Sequence, residues 1–321
     1  MVKIIYLDID GTLRDEQKGI PNSAILAIKQ CQKRKIQIII CTGRNFGSIQ
    51  NDVITLQTDG IISGGGCYIL YHGEEIFRKH FSIKVLKKVL SIASDRQLSL
   101  AMETKCKIYM DQNTSRFYKD DFYCKIRNNV KSNNKINQET FHIVNKIMIE
   151  NKITYKDNFE ELWKEIEKVH KICIFGNQTA IEKTELDLKK ETETIQKKRW
   201  KDRWYLELLP KGCNKGSAIK KLNQKLGIPK KKSMSFGDSE NDIAMMEATG
   251  IAVAVGCKNS IIGNYASSIC EPIMEDGIYK ELLRRNIIEP FEKFEKERRT
   301  QNEETMVAGG SGLSDLSEKF L

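Results

Sequence analysis

No stretch of this sequence is apolar for long enough to cross a bilayer: its longest apolar segments, such as residues 36–41, are far shorter than the roughly 20 residues a spanning helix needs. The opening residues lack the basic region, apolar core and small-residue cleavage site of a secretory leader, and Lys3 leads straight into a strand-like run. A cytoplasmic location with no membrane partner is the expectation. Also missing are any CxxC pair and any Cys/His cluster at zinc-finger spacing, and the nine cysteines are an odd number. Reduced thiols are therefore expected. What is present is an ordinary globular balance, 40% hydrophobic and 30% charged, which excludes disorder throughout. At 321 residues the chain exceeds the usual single-core size, so two domains, or one carrying a large insertion, are expected. The formal charge of +10 comes from lysines dispersed among Glu and Asp, as in residues 152–171 and 183–201. That texture reads as a solvated mixed-charge surface, or a field that attracts anionic esters, in preference to a nucleic-acid face.

Residues 3–9 are apolar, Ile-rich and end in acids and Gly, as a buried parallel strand does at its carboxyl end. Pro21, Asn22 and Ser23 then introduce a helical pattern through Ile25, Ala27, Ile28 and Cys31, and a second apolar run at 36–41 ends in the polar turn Thr42-Gly43-Arg44. A third strand at Ile61 and Ile62 and a hairpin over 67–77, turning at His72 and Gly73, complete this section. From about residue 82 to 208 the texture changes to longer amphipathic helices, with strand candidates at 98–102, 107–110, 171–175 and 204–208. The α/β rhythm then resumes with a helix at 214–226, a strand at 233–236, a helix at 241–248 and a strand at 251–255. The expected class is α/β: a doubly wound parallel core in two parts, 1–81 and 209–287, split by an inserted α+β cap at 82–208. Residues 288–321, with Gly309-Gly310-Ser311-Gly312, read as a flexible terminus.

The chemistry begins with Asp8-Ile9-Asp10-Gly11-Thr12 at the end of the first strand. Two carboxylates two residues apart, where a strand gives way to a loop, can both reach the crevice in which open α/β sheets bind ligands. Taken alone, the same pattern also describes a turn with helix-capping acids. This stretch resembles the first motif of the haloacid dehalogenase superfamily of phosphatases, and the family's remaining motifs follow in order. Thr42 ends the second strand, Lys215 lies in Lys211-Gly212-Cys213-Asn214-Lys215-Gly216 at a helix start, and Gly237-Asp238-Ser239-Glu240-Asn241-Asp242 follows an apolar strand. The insertion between the hairpin and Lys215 is similar to the type-two cap of the Cof-type branch, whose members commonly hydrolyse sugar phosphates. The resemblance covers about residues 1–285. It departs at Gly65-Gly66-Cys67, where the branch carries Asn-Gly-Ala, and at Gly256-Cys257-Lys258, where it carries Gly-Asn-Ala.

The resemblance implies a magnesium-dependent phosphomonoester hydrolase working through an aspartyl phosphate. Asp8 is then the nucleophile, protonated Asp10 the acid and later the base, and Lys215 the balancing cation. Thr42, Gly43 and Asn241 bind the phosphoryl group; Asp8, the Asp10 carbonyl and Asp238 hold Mg2+; Asp242 orients a metal-bound water or Lys215. The partner is a small phosphorylated metabolite, and either a monomer or a dimer is compatible with this. Two further readings remain open: a sugar phosphomutase on the same scaffold, and a non-catalytic binding protein that keeps the fold. Trp200 and Trp204 read as core aromatics before substrate contacts. Cys41, beside Thr42, reads as a buried inert thiol before an oxidation-sensitive one.

Overall fold

The computed structural model describes residues 1–110, 114, 153–155, 168–200, 203–256 and 261–292. Cys257, Lys258 and the Gly309–Gly312 stretch lie outside the described residues. Two sheets account for the strands among the described residues. The first has the order β14-β13-β12-β1-β2-β3-β4-β5. Its members are β1 (Ile4–Leu7), β2 (Gln37–Cys41), β3 (Gly60–Ser63), β4 (Tyr68–Tyr71), β5 (Glu74–Arg78), β12 (Ser233–Gly237), β13 (Ile251–Val255) and β14 (Ser268–Cys270). From β14 to β3 all pairs are parallel, and β4 and β5 add an antiparallel hairpin at one edge.

The strand side chains alternate between two helical layers, as a pleat requires. Ile5, Leu7, Ile38, Ile40, Met234, Phe236 and Val253 pack with Ala27 and Ile28 of α1 (Asn22–Lys33) and with Ile278 and Leu282 further on. Ile4, Tyr6, Ile39, Cys41 and Ile62 face the other way, toward Ala218, Ile219 and Leu222 and toward Met245 and Ala248. Because both faces are buried, these strands are largely apolar, and each buried apolar side chain contributes about 1.5–3 kcal/mol. Tyr6 is tolerated there because its hydroxyl donates to Asn223 Oδ1 at 2.8 Å.

The second sheet, ordered β10-β11-β9-β6-β7-β8, is built from the segment between the two halves of the first. Its strands are β6 (Ser99–Glu103), β7 (Ile108–Met110), β8 (Ile153–Tyr155), β9 (Lys171–Gly176), β10 (Thr192–Trp200) and β11 (Arg203–Pro210), all antiparallel except the β7–β8 pair. One face is covered by α3 (Ile83–Asp95) and α4 (Gln178–Leu188) through Leu86, Val89, Ile181 and Leu188, and Trp204 packs in the same cluster. The short α2 (Asn51–Ile54) lies between β2 and β3 in the chain. The long edge strand β10 occupies a stretch the charge pattern reads as a solvated mixed-charge surface. It is both: residues such as Lys197 and Lys198 belong to a strand at the rim of the sheet, where charge blocks further pairing. Among the described residues no helix is long and apolar enough to cross a membrane.

Candidate active site

Register sets the site. Leu7 pairs with Phe236 on one side and Ile40 on the other, so β12, β1 and β2 end at one level. The residues that follow, Asp8, Asp238 and Thr42, thereby emerge at the same carboxyl edge. Lys215 reaches this edge from α5 (Lys215–Leu226), whose start is fixed by a reciprocal cap. Asn214 Oδ1 accepts the Ser217 N–H at 2.7 Å, and Ser217 Oγ accepts the Asn214 N–H at 3.0 Å.

The Lys215 ammonium is buried between two carboxylates, 2.7 Å from Asp8 Oδ1 and 2.6 Å from Asp242 Oδ1, with Asn241 Oδ1 at 3.4 Å. Burial alone would lower its pKa, but Asp242 and Asp8 outweigh that and raise it, so the charge is permanent. Burial pushes the Asp8 carboxyl well above its ordinary range; Lys215 opposes the shift, while Asp242, Asp238 and Asp10 add to it. Asp242 is held from its other side, where Oδ2 accepts the N–H groups of Asp238 and Ser239 at 3.1 and 3.2 Å. This use of Asp242 as a turn cap makes residues 240–242 a 3-10 turn, so α6 (Ile243–Ala248) starts two residues after the expected Asn241.

Asp238 Oδ1 accepts the Thr12 hydroxyl at 2.9 Å, and burial together with Asp242 pushes its carboxyl up to about 6. Carboxylate oxygens of Asp8, Asp238 and Asp242 lie within 4.8 Å of one another. Three hard oxygen donors this close together suit a small divalent cation, which would relieve their repulsion. Gly11 stands where nothing larger fits: its φ is +84°, and a Cβ there would meet Asp238 Oδ2 at 2.4 Å.

Asp10 is placed apart from this cluster. Its side chain, 44% exposed, receives both Nε and Nη2 of Arg44, at 2.6 and 2.8 Å. Burial would raise its pKa, but the Arg44 hydrogen bonds and charge prevail and lower it. As arranged, Asp10 is ion-paired with Arg44, which disfavours the protonated form that the expected acid role requires. Arg44 also donates its backbone N–H to Thr42 Oγ1 at 3.1 Å, and a Cβ on Gly43 would lie 4.0 Å from Asn241 Nδ2. The sequence presents Arg44 only as part of a polar turn, without a partner; its role is set by an acid 34 residues earlier.

The sequence profile of the haloacid dehalogenase-like hydrolases matches residues 5–282. The chain belongs to this family. Among relatives of this hydrolase is Phosphatase YwpJ of Bacillus subtilis (strain 168), 26% identical over 290 residues, 86% of this chain and 97% of that protein. The phosphoglycolate phosphatase of Methanobrevibacter smithii is 24% identical over 291 residues, 89% and 99% of the two chains. A solved subclass IIB sugar phosphatase of the superfamily superposes with a TM-score of 0.69 at 25% identity, covering 89% of this chain and all of the other. The two-sheet fold of this hydrolase is therefore the family's core with an inserted antiparallel sheet.

The Gly65-Gly66-Cys67 turn departs from Asn-Gly-Ala at Gly65 and Cys67 and keeps the central glycine, for which this hydrolase gives a physical reason. Gly66 has φ +108°, and a Cβ there would stand 2.3 Å from the Asn214 carbonyl oxygen, one residue before Lys215. Cys67 fills the space behind it with Leu209 and Cys213. Cys41 is fully buried and its thiol pKa is raised, by burial first, as an inert core thiol requires.

Proposed function

We propose that this hydrolase is a magnesium-dependent phosphomonoesterase acting on small phosphorylated metabolites, sugar phosphates foremost. The observation that carries the reading is the meeting of Asp8, Lys215 and Asp242, from three separate elements, in one buried constellation with hydrogen bonds of 2.7 and 2.6 Å. Asp8 and Asp238, with the Asp10 carbonyl, would hold the metal. When bound, the magnesium ion would neutralise repulsion between the Asp8 carboxylate and the phosphoryl oxygens.

The remaining work falls to the chain. Asp8 attacks phosphorus in line and becomes an aspartyl phosphate. Lys215 balances charge on Asp8 and on the phosphoryl oxygens, kept in place by Asp242. Thr42, the Gly43 N–H and Asn241 bind the phosphoryl group. Asp10 handles the proton: after leaving Arg44 and taking up a proton it delivers that proton to the departing alkoxide, and back in its carboxylate form it accepts one from water. The segment 82–208 acts as the cap that covers the core, 1–81 and 209–287, and chooses the leaving group. The phosphatases among the relatives support phosphate-ester substrates, and the subclass IIB sugar phosphatase supports a sugar as leaving group.

The test is hydrolysis of an aryl phosphate with magnesium, with chelator, and with Asp8→Asn. Turnover that needs both metal and Asp8, with Asp8→Asn folded but inactive, is the expected outcome. Substantial activity in Asp8→Asn would sink the mechanism, and an isomeric sugar phosphate in place of free phosphate would make the protein a mutase.

A further inference from the structure

The second sheet carries a charged cluster that the mechanism above does not use. Lys171, at the start of β9, is buried with its ammonium 2.9 Å from Glu103 Oε1 of β6 and 3.9 Å from Glu207 Oε1 of β11. Glu207 in turn accepts the Tyr205 hydroxyl, which lies 3.3 Å from Cys173 Sγ. Burial alone would lower the Lys171 pKa, but Glu103 and Glu207 outweigh it and keep the ammonium charged. A buried ion triad is no better for stability than apolar side chains of the same volume, so its directional bonds are where a role should be sought.

One of those bonds leaves the sheet. Lys171 Nζ donates to the carbonyl of Gly43 at 2.9 Å. It is flanked by two others across the same seam: the Gly47 N–H to the Lys105 carbonyl at 2.8 Å, and Asn45 Nδ2 to the Lys107 carbonyl at 3.4 Å. The seam is tight, since a Cβ on Gly47 would meet the Cys106 backbone at 2.6 Å. The Gly43 carbonyl belongs to the peptide that ends at the Arg44 nitrogen. Fixing it orients the residue whose guanidinium grips Asp10, and the Arg44 charge is felt by both Asp10 and Glu103.

We propose that Lys171 is a positioning residue: held by Glu103 and Glu207, it fastens the loop at residues 43–48 to the cap sheet through the Gly43 carbonyl, and so aligns Arg44 and Asp10 when the cap lies over the core. The proposal rests on the reading of Asp10 as the proton-handling group. In this role Lys171 acts through the Gly43 carbonyl.

Lys171→Met leaves two buried carboxylates without a counter-ion and is apt to unfold the cap. The decisive variant is therefore Glu103→Met/Lys171→Met/Glu207→Gln, which removes the charges together and leaves Tyr205 an acceptor. Hydrogen exchange by mass spectrometry is expected to accelerate about tenfold at residues 43–48 and 104–107, while β9 stays protected. With an aryl phosphate, kcat is expected to fall about tenfold. The inhibition constant of inorganic phosphate is expected to rise far less than kcat falls, because of the groups that bind the phosphoryl group only the Gly43 N–H lies in the loosened loop, while Thr42, Lys215 and Asn241 remain in the core. A folded triple variant with wild-type exchange at 43–48 and wild-type kcat overturns the proposal, as does a parallel rise in the phosphate inhibition constant. If the wild-type protein shows no Asp8-dependent hydrolysis, the phosphatase reading fails, and the exchange measurement still decides whether Lys171 fastens the loop.

Discussion

Replacing Lys215 by Met tests the electrostatics of the site independently of turnover. The ammonium is 3% exposed and lies between side chains 6% and 0% exposed, so its loss strands two carboxylates out of water. Breaking a buried pair in this way costs about 3–5 kcal/mol. At roughly 2–4 °C per kcal/mol for a domain of this size, the melting temperature should fall by on the order of 10 °C. The penalty must depend on pH, and its sign follows from linkage. A carboxyl whose folded pKa is raised binds a proton more tightly in the fold than in the unfolded chain. Its stability contribution is therefore present at low pH and lost as pH rises through the folded value. Asp8 is raised well above its ordinary range even with Lys215 present, and Asp238 to about 6. Without Lys215 both rise further, so Lys215→Met should be far closer to wild type at pH 5 than at pH 8. Thermal unfolding in chelator at the two pH values measures this. An equal loss at both, or no loss at either, would refute the placement of Lys215 as the counter-charge to buried acids.

Two other substitutions probe neighbouring features. Gly66→Ala puts a methyl group 2.3 Å from a backbone carbonyl at a positive φ, and should cost on the order of 2–4 kcal/mol by thermal unfolding while displacing Lys215 enough to depress turnover. Arg44→Met removes the group that lowers the Asp10 pKa, so the alkaline limb of the kcat/KM profile, where protonated Asp10 is depleted, should move to higher pH. An unmoved limb would detach that limb from Asp10.

What was legible in the sequence follows from what each residue has to satisfy locally. β1, β2, β12 and β13 are buried on both faces and are mostly apolar, the buried Ser233 and Ser235 of β12 having hydrogen-bond partners, so their runs are plain. β10 is an edge strand with one wet side, and its lysines hide the alternation that marks it. The order of Asp8, Thr42, Lys215 and Asp238 along the chain pointed to the edge where they meet. The sequence did not predict that Asp10 would turn away to Arg44, or that Lys171 would reach Gly43, 128 residues away. Both depend on pairings across the fold, and a charged residue in a turn or at a strand start looks the same with or without such a partner. The splitting of the helix at 241 is of the same kind, since the Asp242 carboxylate is spent on two backbone N–H groups that no local pattern reveals.

The strand order also dictates when the site can exist. β1 lies between β2, made soon after it, and β12, which begins at residue 233. On the ribosome the strand that leads to Asp8 must wait with one edge unpaired while the whole of the second sheet is synthesised. Closure of the first sheet is then a single late, long-range event that brings Asp238 and Asp242 to Asp8 together. A chain released before residue 242 would hold Asp8 and Lys215 but lack the carboxylate that anchors the lysine, so the charged cluster is completed in one step and not by degrees.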